Sequence, residues 1–203
     1  VNILPLESGE KVSAMIRVPE DDEGLYLCMA TRKGLIKRSS LDLYRNIRRN
    51  GVIAVNLRED DELAWVKLTS GNDDLLIATK KGMCIRFNEN DARPLGRTAT
   101  GVKAITLNDG DEVVGMAVIN ETGKVLTVSE KGFGRRSDPD NYRVQSRGGK
   151  GLKNYDVKKY GDVAGIIIVE DDEDVILISS DGIIIRIRAN DIRVCARPSK
   201  GVI

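Results

Sequence analysis

The residues of this chain best placed to bind a ligand lie between positions 142 and 159, where six Lys or Arg stand against one acidic residue. At the centre is a box-like motif, which consists of Gln145, Ser146, Arg147, Gly148, Gly149, Lys150 and Gly151. Glycine has no side chain to hold a phosphate away, so backbone N–H groups can approach it while Arg147 and Lys150 neutralise its charge. Gln145 and Ser146 can add neutral hydrogen bonds. The motif lacks the Lys-Ser or Lys-Thr pair of a nucleotide-binding P-loop.

The sequence offers little to an enzyme active site. It contains no histidine, and its three cysteines, at positions 28, 84 and 195, form no Cys-x-x-Cys pair. The common zinc ligand sets and the Ser-His and Cys-His nucleophile pairs are therefore excluded, and we predict neither a catalytic residue nor a metal site. Cys28 and Cys84 lie in apolar runs typical of strands, which favours buried, reduced thiols and a reducing cytosol. The adjacent carboxylates Asp21 and Asp22 are typical of a solvated turn.

A repeated phrase runs through the sequence: an apolar run, a turn with glycine, and a second apolar run. This pattern predicts β-hairpins. The phrases are 48, 50 and 50 residues apart, and their central glycines are Gly34, Gly82, Gly132 and Gly182. A second glycine series has nearly the same period and consists of Gly51, Gly101, Gly151 and Gly201.

A period near 50 residues, with short runs rich in Val, Ile and Thr, predicts an all-β, radially repeated fold with blades of about four strands. We divide the chain into approximate units 1–50, 51–100, 101–150 and 151–203. Short helical turns are expected after the hairpins, near Asp42 and Asp91. The longest strongly apolar run covers four residues, which is far too short to cross a membrane.

The charged residues are sorted within the repeats. Lys and Arg number 32 and Asp and Glu 31, yet acids concentrate at 20–23, 59–62 and 170–174 while bases concentrate elsewhere. Because the blades repeat radially, equivalent basic segments should merge into a belt that attracts a polyanion without reading its sequence. Aromatic residues make up only 4% of the chain, so duplex DNA fits better than a single strand stacked on aromatic rings. A solvated surface of mixed charge is the alternative.

Besides the box-like motif, we predict a rim of basic residues that contact DNA phosphates. Many stand at fixed offsets, either four residues after a hairpin glycine or four residues before a glycine of the second series. The predicted rim residues are Lys33, Lys37, Arg38, Arg48, Arg49, Lys81, Arg86, Arg97, Lys131, Arg135, Arg136, Arg186, Arg197 and Lys200.

The box-like motif resembles the motif Gln-Arg-Arg-Gly-Gly-Arg/Lys-Gly of the DNA gyrase A C-terminal domain, with Ser146 in place of the first arginine. The likeness extends along the chain, for example through Leu68–Gly71 and Gly96–Val102. It implies a β-pinwheel, a disc of six propeller-like blades that exchange strands, of which about four are represented here. It also implies that the domain wraps duplex DNA around a basic rim and presents a second duplex for strand passage, which enables ATP-dependent negative supercoiling.

The same resemblance carries further expectations. The chain would act with gyrase B and the rest of gyrase A in an A2B2 holoenzyme, a type IIA topoisomerase that uses Mg²⁺ and ATP in the bacterial cytoplasm, at the nucleoid. No cofactor is expected in this chain, and none of its five tyrosines is assigned DNA cleavage. The family's essential box stands in the first blade. We therefore expect a piece of a longer protein that begins after that blade, with an open disc and an exposed strand edge.

Other functions stay open at this point. The C-terminal domain of topoisomerase IV, in the protein of that enzyme that corresponds to gyrase A, shares the architecture, with fewer and more degenerate blades, and serves decatenation. A propeller used as a protein-interaction platform is disfavoured by the low aromatic content. A propeller enzyme built on acidic pairs is the third alternative.

Overall fold

Thirteen short β-strands form the body of the computed structural model, which describes residues 6–46, 48 and 51–202. The strands are β1 (Tyr26–Thr31), β2 (Leu35–Ser40), β3 (Leu63–Thr69), β4 (Asp74–Thr79), β5 (Met83–Asn88), β6 (Val102–Lys103), β7 (Val113–Val118), β8 (Lys124–Ser129), β9 (Gly134–Ser137), β10 (Leu152–Lys153), β11 (Val163–Val169), β12 (Asp174–Ile178) and β13 (Ile184–Arg188). The helical elements are one α-turn, α1 (Val157–Tyr160), and the 3-10 turns Leu41–Tyr44, Glu89–Asp91, Pro139–Asn141 and Ala189–Asp191.

Each repeat contributes one antiparallel hairpin, and the four hairpins are β1–β2, β4–β5, β8–β9 and β12–β13. They begin at positions 26, 74, 124 and 174, which confirms the predicted period. The central glycine of each hairpin turn has a φ of +80° to +83°, a conformation that residues with a Cβ rarely adopt. A 3-10 turn follows every hairpin, including the two predicted near Asp42 and Asp91.

The sheets are completed by strands from later in the chain. The first sheet has the order β3-β1-β2-β6 and the second the order β10-β5-β4-β7, both antiparallel throughout. The third sheet has the order β11-β8-β9, and Val202 forms a bridge to Gly134 on the free side of β9. The fourth sheet consists of β12 and β13. The first three hairpins therefore receive their neighbouring strands from the units that follow them.

The sheets pack face to face, and the core lies between them. The first and second sheets enclose a cluster that includes Cys28, Ile36, Leu75 and Phe87, all 0% exposed. Comparable clusters lie between the second and third sheets and between the third and fourth. The edge strand β7 contacts both β3 and β11, so these edges converge on one side of the assembly. The opposite edges, formed by β6 and β10, face outward, as in the blades of a propeller-like disc.

The predicted burial of two cysteines is confirmed. Cys28 in β1 and Cys84 in β5 are 0% exposed free thiols, and burial raises the pKa of both to about 12. Cys195 is only partly buried. The first two thiols therefore pack as small apolar groups.

One sheet face has no cover among the described residues. Ile176, Ile178 and Ile184 in the fourth sheet are 61%, 68% and 66% exposed, whereas the equivalent Leu76 and Ala78 in the second sheet are fully buried by the third. Because each of the first three sheets takes strands from more than one predicted unit, none of these sheets lies within a single unit, and the predicted unit boundaries stay a prediction.

The glycines that precede the short outer strands provide a test of whether strands are exchanged between units. A Cβ built on Gly101, whose φ is +102°, would lie 2.6 Å from the Ile36 carbonyl oxygen in β2. We expect Gly101→Ala to lower the free energy of unfolding by about 3 kcal/mol or more, because β6 must then leave the first sheet. The control is Gly132→Ala, which has similar strain (φ +80°) but no atom within 4 Å, and should cost about 1–2 kcal/mol. Urea unfolding measures both, and equal losses would contradict the close approach.

Candidate nucleic-acid interface

Three stretches, which we call the perimeter segments, cover the outer edges of successive sheets. They are residues 93–103, 143–153 and 193–202. Each starts beside a 3-10 turn and forms a parallel bridge with the hairpin of the preceding repeat (Arg38–Pro94, Arg86–Val144 and Arg136–Val194). Each ends in a short pairing with the outer strand of that same hairpin. The box-like motif therefore lies on the outside of the second sheet, within the middle perimeter segment.

The perimeter segments hold a concentrated positive charge. Together they contain ten Lys or Arg and no Asp or Glu, whereas the rest of the chain has nine more acidic than basic residues. The ten are Arg93, Arg97, Lys103, Arg143, Arg147, Lys150, Lys153, Arg193, Arg197 and Lys200. Seven are exposed, and the three arginines of the predicted series, at 97, 147 and 197, are partly buried. The net charge of +1 thus conceals a basic band along one edge of the fold.

Sequence reasoning missed half of this band. Arg93, Arg143 and Arg193, and likewise Lys103 and Lys153, were not among the predicted rim residues, although they recur every 50 residues. Each stands at a fixed offset from the second glycine series, which is the signal that would have found them.

The structure corrects the prediction for four rim residues that it buries. Lys37, Arg38, Arg135 and Arg136 are only 1%, 3%, 0% and 4% exposed. They lie in β2 and β9, and both faces of these strands are covered by neighbouring structure. Their charges therefore act inside the fold and contribute no exposed phosphate-binding group.

Arg38 forms a buried ion pair between the first two sheets. Its Nε lies 2.9 Å from Oε2 of Glu89, its Nη1 donates to Asn90 Oδ1 at 2.8 Å, and its guanidinium stacks over the Tyr26 ring. Glu89 also accepts hydrogen bonds from the Thr69 hydroxyl and from the Gly71 and Asp73 amides at 2.7–2.8 Å. These donors offset the cost of burying the carboxylate. Arg38 therefore links its sheet to Glu89–Asp91, the 3-10 turn of the following repeat.

The equivalent arginines repeat that link. Arg86 pairs with Asp74 at 2.8 Å and donates to the Pro139 carbonyl at 2.9 Å, and Arg136 donates to the Ile192 carbonyl at 2.8 Å and pairs with Asp171. Both acceptor carbonyls belong to or adjoin the 3-10 turn of the following repeat. Arg186, the last of the series, pairs with Asp174 and stays exposed.

Lys37 and Arg135 lie beneath the surface and donate hydrogen bonds to carbonyl groups of the perimeter segments. The Lys37 ammonium donates to the Ala54 carbonyl and, at 2.6 Å, to the Arg97 carbonyl. Arg135 donates to the Ser199 carbonyl at 3.1 Å and to the Asn154 side chain at 3.1 Å. Neither has a carboxylate partner among the residues that the structure describes.

The hairpin-turn lysines lie among acids rather than on the perimeter. Lys81 forms an ion pair with Asp162 at 2.7 Å, which raises the pKa of the lysine, and the Lys33 amide donates to Asp61 at 3.0 Å. Lys131 is exposed at the equivalent turn. Arg48 is exposed, and Arg49 lies outside the described residues.

The box-like motif is tied to the sheets by its backbone. The Gly148 amide donates to the Ala104 carbonyl at 2.7 Å, and Thr106 donates through its amide and hydroxyl to the Gly149 and Gly148 carbonyls at 2.8 and 2.7 Å. The Gly148 N–H is thus not free for a phosphate. Gly149 and Lys150 are exposed, while the partly buried Gln145 has a side-chain oxygen without a partner.

Two further features of the described residues bear on function. In 6–46, 48 and 51–202, no group of three His, Cys, Asp or Glu is arranged to hold a metal ion. No helix in the same ranges is long and apolar enough to span a bilayer.

Propeller-like sheets that exchange strands and carry a basic outer edge define the class of this chain as a β-pinwheel domain. The family model described as "DNA gyrase C-terminal domain, beta-propeller" matches residues 25–70, 73–120, 123–170 and 173–203. The chain belongs to this family.

Curated relatives agree with the family. The chain is 52% identical over 101 residues to the DNA gyrase A protein of Clostridium acetobutylicum and 51% identical over 102 residues to that of Staphylococcus aureus strain NCTC 8325 / PS 47. Each alignment covers 50% of this chain and 12% of the relative, so the chain matches only a small part of those proteins.

Solved structures show the same fold. The crystal structure of the C-terminal domain of a DNA topoisomerase IV has a TM-score of 0.89 at 25% identity and covers 98% of this chain and 63% of its own. The structure of a DNA gyrase A C-terminal domain has a TM-score of 0.81 at 27% identity, covering 91% and 62%.

The buried Lys37 gives the fold a measurable pH dependence. Burial, with a contribution from the charge of Arg97, lowers the pKa of Lys37 from 10.5 to about 8. Between these values Lys37 binds more protons in the unfolded chain than in the folded chain, so this residue makes stability rise with pH across that window. We expect the stability of the unaltered chain relative to Lys37→Met to increase by about 1–3 kcal/mol from pH 7.5 to pH 10.5.

Comparison with the variant is needed because Cys28 and Cys84, with raised pKa values, make stability fall above about pH 9 in both proteins. The control is Lys67→Met on the exposed face of β3, where the same substitution removes an exposed amine instead of a buried one. Urea unfolding at each pH measures the difference. A constant gap between the unaltered chain and Lys37→Met would contradict the burial of an ionisable amine.

Proposed function

We propose that this chain binds duplex DNA along its perimeter segments as part of a DNA gyrase A protein. The observation that carries the proposal is the charge of these segments, ten basic residues and no acidic one on the outer edges of three consecutive sheets. Such a band suits a regular polyanion, since phosphate contacts require charge at intervals rather than a shaped pocket. Membership of the gyrase C-terminal domain family supports the same ligand.

The arrangement also supports bending of the bound duplex. Bending a site of 20–30 base pairs by 40–90° costs on the order of 1–6 kcal/mol, and only contacts spread along the curve can offset that cost. The perimeter segments place basic residues on successive blades at equivalent positions. We infer that the duplex follows the outer edge of the disc and is wrapped.

In the whole enzyme, wrapping would direct strand passage towards ATP-dependent negative supercoiling. The partners would be gyrase B and the rest of gyrase A in an A2B2 complex, which would supply the catalytic residues and use Mg²⁺ and ATP. The relatives from bacteria such as Staphylococcus aureus support a cytoplasmic, nucleoid-associated location.

A second candidate is the equivalent C-terminal domain of topoisomerase IV, which the structural likeness favours with its TM-score of 0.89. Curated relatives at about 50% identity, each named as a DNA gyrase A protein, support gyrase instead. The test lets the chain replace the matching segment of a gyrase A protein. Restored supercoiling would support the gyrase assignment, and decatenation without supercoiling would support topoisomerase IV.

The first test removes the exposed arginines that lead each perimeter segment. Arg93→Gln, Arg143→Gln and Arg193→Gln should each weaken binding to a random-sequence duplex and flatten the plot of log K against log salt by about 0.9. The matched control is Lys67→Gln, an exposed base on the inward edge strand β3, which should leave affinity and slope unchanged. Equal effects in all four variants would show that net charge, rather than the perimeter, governs binding.

The second test measures bending directly. A duplex of about 40 base pairs with a dye at each end should show its ends brought closer when the chain binds. The triple variant Arg93→Gln, Arg143→Gln, Arg193→Gln should bring the ends less close at equal occupancy. Tight binding with no approach of the ends means that the surface holds DNA straight and that the wrapping role is wrong.

A further inference from the structure

We infer that Arg147 and Arg197 are positioning residues that fasten the perimeter segments to the preceding sheet, whereas exposed neighbours such as Arg143 and Lys150 bind the phosphates. The inference deepens the proposed function and rests on it. It divides the basic residues of the DNA-binding perimeter into two roles that the sequence does not distinguish.

The two arginines make the same pair of contacts 50 residues apart. Arg147 donates from Nε to the Asp91 carbonyl at 2.8 Å and from Nη1 to the Lys103 carbonyl at 2.9 Å. Arg197 donates from the same atoms to the Asn141 carbonyl at 2.5 Å and to the Lys153 carbonyl at 2.8 Å. Both acceptors of Arg197 lie 50 residues after those of Arg147, as the two arginines themselves do. The contact is therefore a repeated feature of the fold.

Each arginine joins two parts of the preceding perimeter segment's unit. Asp91 and Asn141 are the last residues of 3-10 turns, and Lys103 and Lys153 end the short outer strands β6 and β10. A guanidinium that bonds both carbonyls fixes the spacing between a turn and an outer strand. It also fixes its own loop against them.

Arginine suits this role because its planar group presents donors in a fixed fork. A lysine ammonium keeps the charge but is a compact donor on a flexible stem, and it does not reproduce the two-carbonyl geometry. The charge of a phosphate contact, by contrast, can be supplied by either residue.

The side chains left for the phosphates are those without internal partners. Arg143 and Lys150 are exposed on the middle segment, and neither pairs with a carboxylate of the described residues. Lys150 follows the exposed Gly149 in the same loop. Its ammonium is therefore free to meet a polyanion while Arg147 holds the loop beneath it.

The test uses the 203-residue chain with Arg147→Lys, Arg197→Lys and Lys150→Met, and Lys67→Met as the control. Two quantities are measured. The first is affinity for a random-sequence duplex from low to high salt. The second, without DNA, is hydrogen exchange at the Gln145, Gly148 and Thr106 amides, which bond the box-like loop to Arg86, Ala104 and Gly149 carbonyls.

We expect Arg147→Lys to speed exchange of these three amides at least about tenfold. It should weaken DNA binding by a similar factor at every salt concentration, at nearly unchanged salt slope, because the charge is kept and the loop is released. Lys150→Met should flatten the slope by about 0.9 and leave the three amides protected. Arg197→Lys should likewise speed exchange of the Cys195 amide, which donates to the Arg136 carbonyl.

Full affinity and full protection in Arg147→Lys would overturn the inference, since the charge alone would then suffice. Protection of the β1–β2 amides reports in every variant that the protein is folded. If Arg147→Lys is not folded, Arg197→Lys serves as the second variant. If the unaltered chain fails to bind duplex DNA, the proposed function falls and takes the phosphate-binding role of Lys150 with it, while the exchange data still decide whether Arg147 fastens the loop.

Discussion

The structure depends on the close approach of backbone to backbone where each perimeter segment joins the sheet before it. At Gly101 a side chain has no room, because Ile36 of β2 lies against the glycine, and Gly151 meets Cys84 of β5 in the same way. A residue with a Cβ would push the short outer strand away from the sheet. The basic residues would then be held by a loop instead of a sheet edge, and their repeat along the disc would be lost.

The same residue types serve two purposes in this fold. In the first three repeats, the arginines four positions after the hairpin glycines turn inward to carboxylates and carbonyls, as Arg38 does to Glu89. Basic residues that follow the 3-10 turns or end the short strands remain outside, as Arg143 and Lys103 do. Charge in the interior links a sheet to the 3-10 turn of the following repeat, and charge on the edge is available to a ligand. A regular offset from a glycine identifies a repeated position but not the side of the strand that it occupies.

How far the sequence predicts the fold follows from this difference. The hairpins and their period could be predicted, because turns that need glycine and apolar runs leave a local pattern. The burial of Lys37 and Arg135 was missed, since both faces of their strands are covered and no alternation of polar and apolar residues remains to be read. The equivalent positions in the other units are Ile85 and Ile185. These two isoleucines are the signal in the sequence that the position faces the core. The site was predicted as a belt, and the belt's position on the outer edge needed the pairing of β6 and β10.

The exchange of strands also sets the order in which the fold can be completed as the chain is made. The first sheet contains β1, which starts at Tyr26, and β6, which ends at Lys103, and the second extends from Asp74 to Lys153. A ribosome therefore releases the hairpin of one blade well before the strand that closes it. Until that strand emerges, the outer edge of β2 has unpaired amides and carbonyls open to another chain. The edge that finally carries the positive charge is thus the last part of each blade to form, and the nascent protein gains its basic outer edge one blade behind its core.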